Sequence, residues 1–334
     1  MQPDRFDQIT RQYARLRIAV VGDFCLDRYL EIDPAREEIS LETGLPVHNV
    51  ISVRAQAGAA GTVVNNLAAL GVGSIYPIGF CGEDGEGHEL RRALAGIEGV
   101  KLDYFFATPL RRTFTYCKPL VLAARQPPRE LNRLDSKNWS PTPPSVVERV
   151  LGSMSALRGQ LDAIIALDQV TTPETGVITA RVRNALHRQE TLVVADARLG
   201  LSGYPPVVFK MNLAELRRME KLAQTPSLEE ARAAAATISQ RNGRPVVVTM
   251  AEGGLVGAEP GGSTAHVPAL PVRGPIDVVG AGDAVTANVT AAWAAGATLA
   301  EALELAAAAS SIVIHQLGTT GTASVGQLRE AMTI

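Results

Sequence analysis

The sequence predicts an α/β protein of three layers, a mostly parallel central sheet with helices on both faces and a smaller sheet set apart from it. Three observations carry that prediction. Short apolar runs rich in β-branched residues alternate with longer Ala-rich helical segments, the order that gives parallel strands joined by crossover helices. Residues 29–56 and 103–137 interrupt the alternation with short strand-like pieces, enough to build a sheet outside the core. The chain of 334 residues, 46% of them hydrophobic, suits one large unit with such an appendage, and residues 1–334 are read as a single domain.

Taken in order, residues 1–16 have the charged, amphipathic pattern of a peripheral helix. Arg17-Ile18-Ala19-Val20-Val21-Gly22 is a short apolar run closed by glycine, a buried strand. Asp23 and Asp27 follow it. Acids just past the C-terminal end of a strand are where open α/β sheets gather ligand groups, although a solvated turn has the same composition. Val47, Asn49, Ile51 and Val53 alternate as a strand of the smaller sheet does. Residues 56–71 contain Gly58, Ala59, Gly61 and Thr62 in a small-residue turn that opens an Ala-rich helix ending at Gly71. Such a turn admits a ligand to the backbone, or simply lets a helix pack tightly.

Residues 75–79 read as a strand and 85–95 as a helix. The second irregular stretch carries Tyr104-Phe105-Phe106, Thr113-Phe114-Thr115-Tyr116 and residues 131–135 as strand-like pieces. Pro-rich residues 139–144 lead into a helix over 145–157. Regular alternation then resumes with a strand at 162–167, a helix at 173–188, and strands at 191–196 and 207–211. A helix at 228–242, a strand at 246–249, a hairpin of 255–258 with 264–267, and two C-terminal helices complete the chain.

The stretch that the rest serves is Asp277-Val278-Val279-Gly280-Ala281-Gly282-Asp283, followed by a long helix-forming run from Ala284. Two glycines let the backbone turn and a ligand approach, and the first N–H groups of the helix lack partners within it. The positive end of the helix dipole makes this a place for an anion, most naturally a phosphate. Asp283 repels a phosphate, so it either stabilises the helix dipole or takes a proton from a group attacking phosphorus.

Composition excludes several classes. A net charge of −2, from 32 basic and 34 acidic residues without a basic run, argues against nucleic-acid binding. Cys25, Cys81 and Cys117 are far apart and unpaired in pattern, as in a reducing cytosol. The start shows no signal peptide, and residues 284–300 are too weakly apolar to span a membrane, so the expectation is a soluble cytoplasmic protein. There is no Gly-x-x-x-x-Gly-Lys phosphate loop, no Gly-x-Gly-x-x-Gly after the first strand, and no Gly-x-Ser-x-Gly elbow. The five histidines are scattered without metal-ligand spacing.

On these residues the chain resembles the ribokinase-like, phosphofructokinase-B type carbohydrate kinases, along nearly its whole length. Asp277 to Asp283 is similar to the family's Asp-Thr-x-Gly-Ala-Gly-Asp. Gly22-Asp23-x-x-Leu26-Asp27-Arg28-Tyr29 and Gln316-Leu317-Gly318-Thr319 look like the heptose-phosphate kinase branch. The resemblance implies a ribokinase-like fold whose insertions form a lid, an ATP and Mg²⁺ requirement, a possible K⁺ site, and a homodimer joined through the lid. It implies Asp283 as the base, with Gly280, Ala281 and Gly282 as the anion hole. Asp27, Gly58, Ala59 and Thr62 would face the sugar, and Arg112 would meet a substrate phosphate or stand as a solvated charge. Lys210, Asn212, Thr249, Gly254 and Ala307 would serve the nucleotide. Asn212 and Glu215 would serve Mg²⁺ through water, and Asp277 a monovalent cation; Glu215 reads equally as an exposed acid in a first helical turn. Three departures stand out: Thr62 where the family has Asn, Ala307 where the branch often has Asn, and Ala251 in place of Gly. A nucleoside or vitamin-precursor kinase of the same fold, and a relative that binds without catalysing, are the alternatives.

Overall fold

The structure, a computed structural model, describes residues 1–123 and 128–332. Residues 124–127, inside the second irregular stretch, lie outside the described residues, as do 333 and 334. Among the described residues a nine-stranded sheet runs, edge to edge, through Thr264–Val267, Leu255–Ala258, Val246–Thr249, Val208–Asn212, Leu192–Ala197, Ala163–Asp168, Arg17–Gly22, Ser74–Gly82 and Phe105–Thr108. Neighbours pair in parallel from Val246–Thr249 to Phe105–Thr108, and only the hairpin at the far edge is antiparallel. This is the α/β architecture expected from the alternation of elements.

The strands read as unbroken apolar runs because both faces are covered. Along Arg17–Gly22, Ile18 and Val20 belong to a cluster with Val63, Val64 and Leu67 of helix Ala60–Ala69 and with Ala284, Ala287 and Ala291 of helix Ala281–Ala294. Ala19 and Val21 point the other way, into a cluster with Val147, Val150 and Met154 of helix Pro144–Ala156 and Ala235 and Ile238 of helix Leu228–Asn242. Each fully buried Val, Ile or Leu contributes about 1.5–3 kcal/mol, so the two clusters hold the three layers together. Alanines on helix Ala281–Ala294 let its backbone lie close to the sheet, which matters for what its first turn can reach.

Four local expectations are corrected. The N-terminal helix, Pro3–Thr10, is not peripheral: Phe6, Ile9 and Tyr13 are only 4%, 0% and 0% exposed, within the first cluster. The charged residues between them obscure a buried stripe at helical spacing. Residues 24–28 are not a turn, since the strand Phe24–Ile32 begins after Asp23 alone. The helix expected over 173–188 shrinks to Ala180–Leu186, capped by the Thr179 hydroxyl. Before it, the Val177 amide donates to the Asp23 carboxylate at 2.7 Å and so is drawn out of a helical ladder. Lastly, Phe105–Thr108 joins the central sheet, parallel to Ser74–Gly82.

A second sheet stands apart, in the order Leu134–Ser136, Phe114–Val121, Phe24–Ile32, Val50–Ala59, with Arg129–Glu130 pairing Phe114–Val121. It is mixed: Phe24–Ile32 runs parallel to Phe114–Val121 and antiparallel to Val50–Ala59. Because Phe24–Ile32 continues directly from Arg17–Gly22, this sheet rises from the C-terminal ends of the central strands.

Candidate active site

Helix Ala281–Ala294 begins at Gly280, whose φ of 84° is the left-handed conformation that glycine takes without strain. The Ala281 amide turns back to the Val278 carbonyl at 3.3 Å, and the Ala284 amide donates to the Gly280 carbonyl at 2.9 Å. No group among the described residues accepts the main-chain N–H of Gly282 or Asp283. The open donors are therefore those of Gly282 and Asp283, together with the dipole behind them.

Two charged residues converge on that turn from adjacent strand ends. Lys210 and Asp196 are buried and paired, Nζ to Oδ2 at 2.7 Å. The Thr286 hydroxyl stands 3.1 Å from the same Oδ2 and 3.0 Å from the Gly282 carbonyl, so strand and helix are joined at this point. A Cβ on Gly282 would come within 3.1 Å of Lys210 Nζ; glycine leaves the ammonium its place. Burial works against the Lys210 charge, but Asp196, with Asp283 and Glu215 beyond it, outweighs burial and leaves its pKa raised.

The half-buried Asp283 carboxyl is pushed up to about 7, first by burial and then by Asp196, while Lys210 and Arg198 pull it down. A carboxylate held near neutrality is a far better proton acceptor than a free one. The site thus joins a carboxyl of raised proton affinity, unpartnered N–H donors and a buried cation, a combination chemically able to serve phosphoryl transfer.

On the side of the second sheet, Asp27 is buried with Lys118 Nζ 3.6 Å from its Oδ1. Burial raises its pKa and Lys118 opposes the rise. Gly58 faces Asp27 across the strands: a Cβ there would stand 2.5 Å from Asp27 Oδ2 and 2.8 Å from Cys25 Sγ. Ala59 caps helix Ala60–Ala69 with φ 52° and ψ −116°, a conformation that suits glycine. Thr62, buried on that helix, lies 3.7 Å from where a Cβ of Gly280 would be, which brings this turn and the start of helix Ala281–Ala294 together. Arg112 differs. Its backbone is tied to the Asn138 side chain at 3.0 Å and 2.9 Å, while the guanidinium is exposed.

Asn212 and Glu215 are engaged with each other. The Asn212 side chain accepts from the Glu215 amide at 2.9 Å and Glu215 Oε2 from the Asn212 amide at 2.8 Å, a capping box for helix Leu213–Met219. Burial raises the Glu215 pKa and its bond from Asn212 opposes this. Thr249 is the register partner of Asn212 on the next strand. Gly254 has φ 84°, and a Cβ there would meet the Val267 carbonyl at 2.1 Å. Ala251 takes φ 49° in that turn. Ala307, 5% exposed, packs with Val247, Leu255, Val285 and Leu303. Asp277 Oδ1 accepts from the Val279 amide at 3.0 Å, and its own amide donates to the Ile314 carbonyl at 2.8 Å.

Sequence reasoning missed several residues. Asp196 and Asp168 each lie at the C-terminal end of a buried strand, and position on the strand is the one signal they offered. Asp168 is pushed up to about 7 by burial and by Asp23, and Tyr204 donates to it at 2.9 Å. Asp23 accepts from the Gln169, Val170 and Val177 amides at 2.8, 3.3 and 2.7 Å, fixing the loop beside the site.

The sequence comparisons place a chain of this fold among the carbohydrate kinases of the pfkB class. The model of the pfkB family carbohydrate kinase matches residues 176–325, and the chain belongs to that family. Among curated relatives, it is 30% identical over 333 residues to the bifunctional protein HldE of Bradyrhizobium sp., covering 98% of this chain and 66% of that one. With the HldE of Rhodospirillum rubrum the identity is 34%, over 93% of this chain and 61% of that protein. The chain thus spans somewhat under two thirds of the relatives it matches. Its fold is similar to Arabidopsis thaliana ribokinase complexed with ribose and ATP, with a TM-score of 0.69 and 20% identity over 96% of this chain and 99% of the other. It is also similar to Escherichia coli phosphofructokinase-2 in complex with potassium, with a TM-score of 0.73 and 17% identity over 95% and 98% of the two chains. No helix among the described residues is long and apolar enough to cross a membrane.

Proposed function

We propose that this protein transfers the γ-phosphoryl group of ATP to a hydroxyl of a small sugar or sugar phosphate. The observation that carries the reading is Asp283, tuned to about 7, beside open N–H donors at a helix start. Asp283 takes the proton of the attacking hydroxyl, and the open amides of Gly282 and Asp283 receive the phosphoryl charge, with Gly280 and Ala281 shaping the turn that presents them. Asp27, Gly58, Ala59 and Thr62 form the acceptor side, with Arg112 at its edge. Lys210, Asn212, Thr249, Gly254 and Ala307 form the nucleotide side.

Magnesium fits the donor set. Glu215 Oε1 and Asp196 Oδ1 are hard oxygens outside the hydrogen bonds given above, and no cluster of three metal-binding side chains occurs among the described residues. That is the sparse arrangement suited to an ion kept mostly by water and phosphate. Bound there, Mg²⁺ would neutralise nucleotide charge, and Asn212 and Glu215 would hold it through water. A monovalent cation at the Asp277 loop belongs to the same reading.

In this proposal residues 1–334 are one kinase domain, and the insertions at about 29–56 and 103–137, apart from the central-sheet strand Phe105–Thr108, supply its lid, closing over the sugar and excluding water. Ile39, Leu41, Leu45, Ile51 and Val53 are 49–100% exposed, on the Val50–Ala59 edge strand and on the hairpin of Glu38–Ile39 with Pro46–Val47 that precedes it in the chain. An apolar edge strand favours pairing with a second copy, which supports a homodimer through the lid.

The test is ADP release over a panel of sugars, sugar phosphates including heptose phosphates, nucleosides and hydroxymethylpyrimidine, with Mg²⁺ and ATP. Turnover on a sugar or sugar phosphate is expected. A panel silent for sugars but active on a nucleoside or the pyrimidine would overturn the acceptor class, and ATP binding with no turnover at all would favour a non-catalytic relative.

A further inference from the structure

The cations around this cleft are mostly paired with acids. Lys210 is held by Asp196 at 2.7 Å, Lys118 stands 3.6 Å from Asp27, and Arg133 and Lys137 share Asp135 at 2.6 and 3.6 Å. Arg198 is different. It follows the strand Leu192–Ala197 directly, so it leaves the sheet two residues after Asp196. Its backbone is fixed on both sides: the amide donates to the Asp168 carbonyl at 2.9 Å, and its carbonyl accepts from Arg218 at 3.0 Å. Its exposed guanidinium donates through Nη2 to Gln169 Oε1 at 2.9 Å, a neutral acceptor. Among the described residues no carboxylate lies within ion-pair distance of it.

The charge nevertheless acts at the centre of the site. It lowers the proton affinity of Asp283 on the helix, of Asp23 and Cys25 at the root of the second sheet, and of Tyr116 on its neighbouring strand. Arg198 lies two residues past Asp196, whose carboxylate meets Lys210 and the Thr286 hydroxyl of the helix, and its guanidinium reaches Gln169, whose main-chain amide is held by Asp23 at the root of the second sheet, so it stands between the helix start and that sheet. Among the described residues only Nη2 of its guanidinium has an acceptor, which leaves four of its five N–H donors uncommitted, and a planar guanidinium matches phosphoryl oxygens in paired fashion. Lys210 cannot supply the same charge in full, since Asp196 already neutralises it.

We propose that Arg198 is a catalytic residue, its guanidinium donating to the oxygens of the phosphoryl group in transit between ATP and the acceptor. This rests on the kinase reading above. The acceptor O–H gives its proton to Asp283, the acceptor oxygen forms a bond to the γ-phosphorus, and the bond from that phosphorus to the β,γ-bridging oxygen breaks with its electron pair leaving on ADP. Negative charge is greatest on the three equatorial oxygens midway through, where Arg198 joins the open amides of Gly282 and Asp283.

The experiment compares wild type, Arg198→Ala and Arg198→Lys by calorimetric titration with ADP alone and with ADP plus fluoroaluminate and Mg²⁺, a mimic of the group in transit. Wild type is expected to bind the mimic complex at least about 100-fold more tightly than ADP. Arg198→Ala should keep its ADP affinity within about threefold and lose most of that tightening, with Arg198→Lys between. On the acceptor identified by the panel, kcat of Arg198→Ala should fall about 10²–10³-fold and recover in part with added guanidinium ion. Full tightening in Arg198→Ala, or a raised acceptor KM at unchanged kcat, overturns the assignment to Arg198 and leaves the kinase reading standing. A wild type that binds no ADP overturns the kinase reading itself.

Discussion

Replacing Asp283 by Asn should remove activity and raise stability, and the stability gain should depend on pH in a set direction. The Asp283 carboxyl stands at about 7 against an ordinary 3.8 because burial and Asp196 disfavour its charge. The folded protein thus holds this proton more tightly than the unfolded chain. The penalty for ionising it is absent below about pH 4, grows as pH rises between the two values, and is complete above about 7. A tenfold difference in proton affinity is worth about 1.4 kcal/mol, but the side chain keeps part of its exposure, and solvent screening reduces the total to about 1–2 kcal/mol. Asn keeps the shape and carries no charge. Urea denaturation of Asp283→Asn should therefore match wild type near pH 4 and exceed it by about 1–2 kcal/mol at pH 8. Its transfer rate should drop by about 10²–10⁴-fold, the usual contribution of a positioned base. A stability difference that stays flat with pH, or an undiminished rate, would refute the reasoning.

Three further outcomes follow from particular contacts. Lys210→Met should destabilise by about 3–5 kcal/mol in urea denaturation, because it strands the buried Asp196 carboxylate; adding Asp196→Leu should recover most of the loss. Ala59→Gly should stabilise by about 0.5–2 kcal/mol, the relief of a residue at φ 52° and ψ −116° less the freedom glycine adds to the unfolded chain. A loss of stability there would mean that the turn is not strained. Ile51→Lys with Val53→Lys should shift the protein to monomer in sedimentation equilibrium, and an unchanged mass would locate any dimer contact elsewhere.

The order of strands and helices was legible because a sheet covered on both faces demands runs such as Ile18 to Val21, which few other structures tolerate. The start of helix Ala281–Ala294 was equally visible, since glycines before a long Ala-rich run leave little choice of backbone. What escaped notice depended on contacts distant in sequence. Residues 173–178 hold Gly176 and three β-branched residues that weaken a helix, and Asp23, about 150 positions earlier, claims the Val177 amide and holds the segment irregular. Asp196 is one acid at the end of a strand, and only its pairing with Lys210 and its pressure on Asp283 reveal its part in the site. Asn212 and Glu215 show the reverse. Their spacing spells a capping box as readily as a metal motif, and the structure shows the cap.

One small contact couples parts of the molecule that no pattern would connect. Gln56, near the base of the Val50–Ala59 strand, donates to the Thr320 hydroxyl at 2.8 Å and accepts from the Thr319 hydroxyl at 3.2 Å. Thr320 in turn lies 3.5 Å from where a Cβ of Gly280 would stand. A tilt of the second sheet must therefore either drag the segment around Thr320 along with it or break two hydrogen bonds of about 1 kcal/mol each. Should the second sheet close over an acceptor as proposed, this link would carry the movement to the glycine turn at the start of helix Ala281–Ala294, and an empty cleft and a filled one need not offer the same foothold.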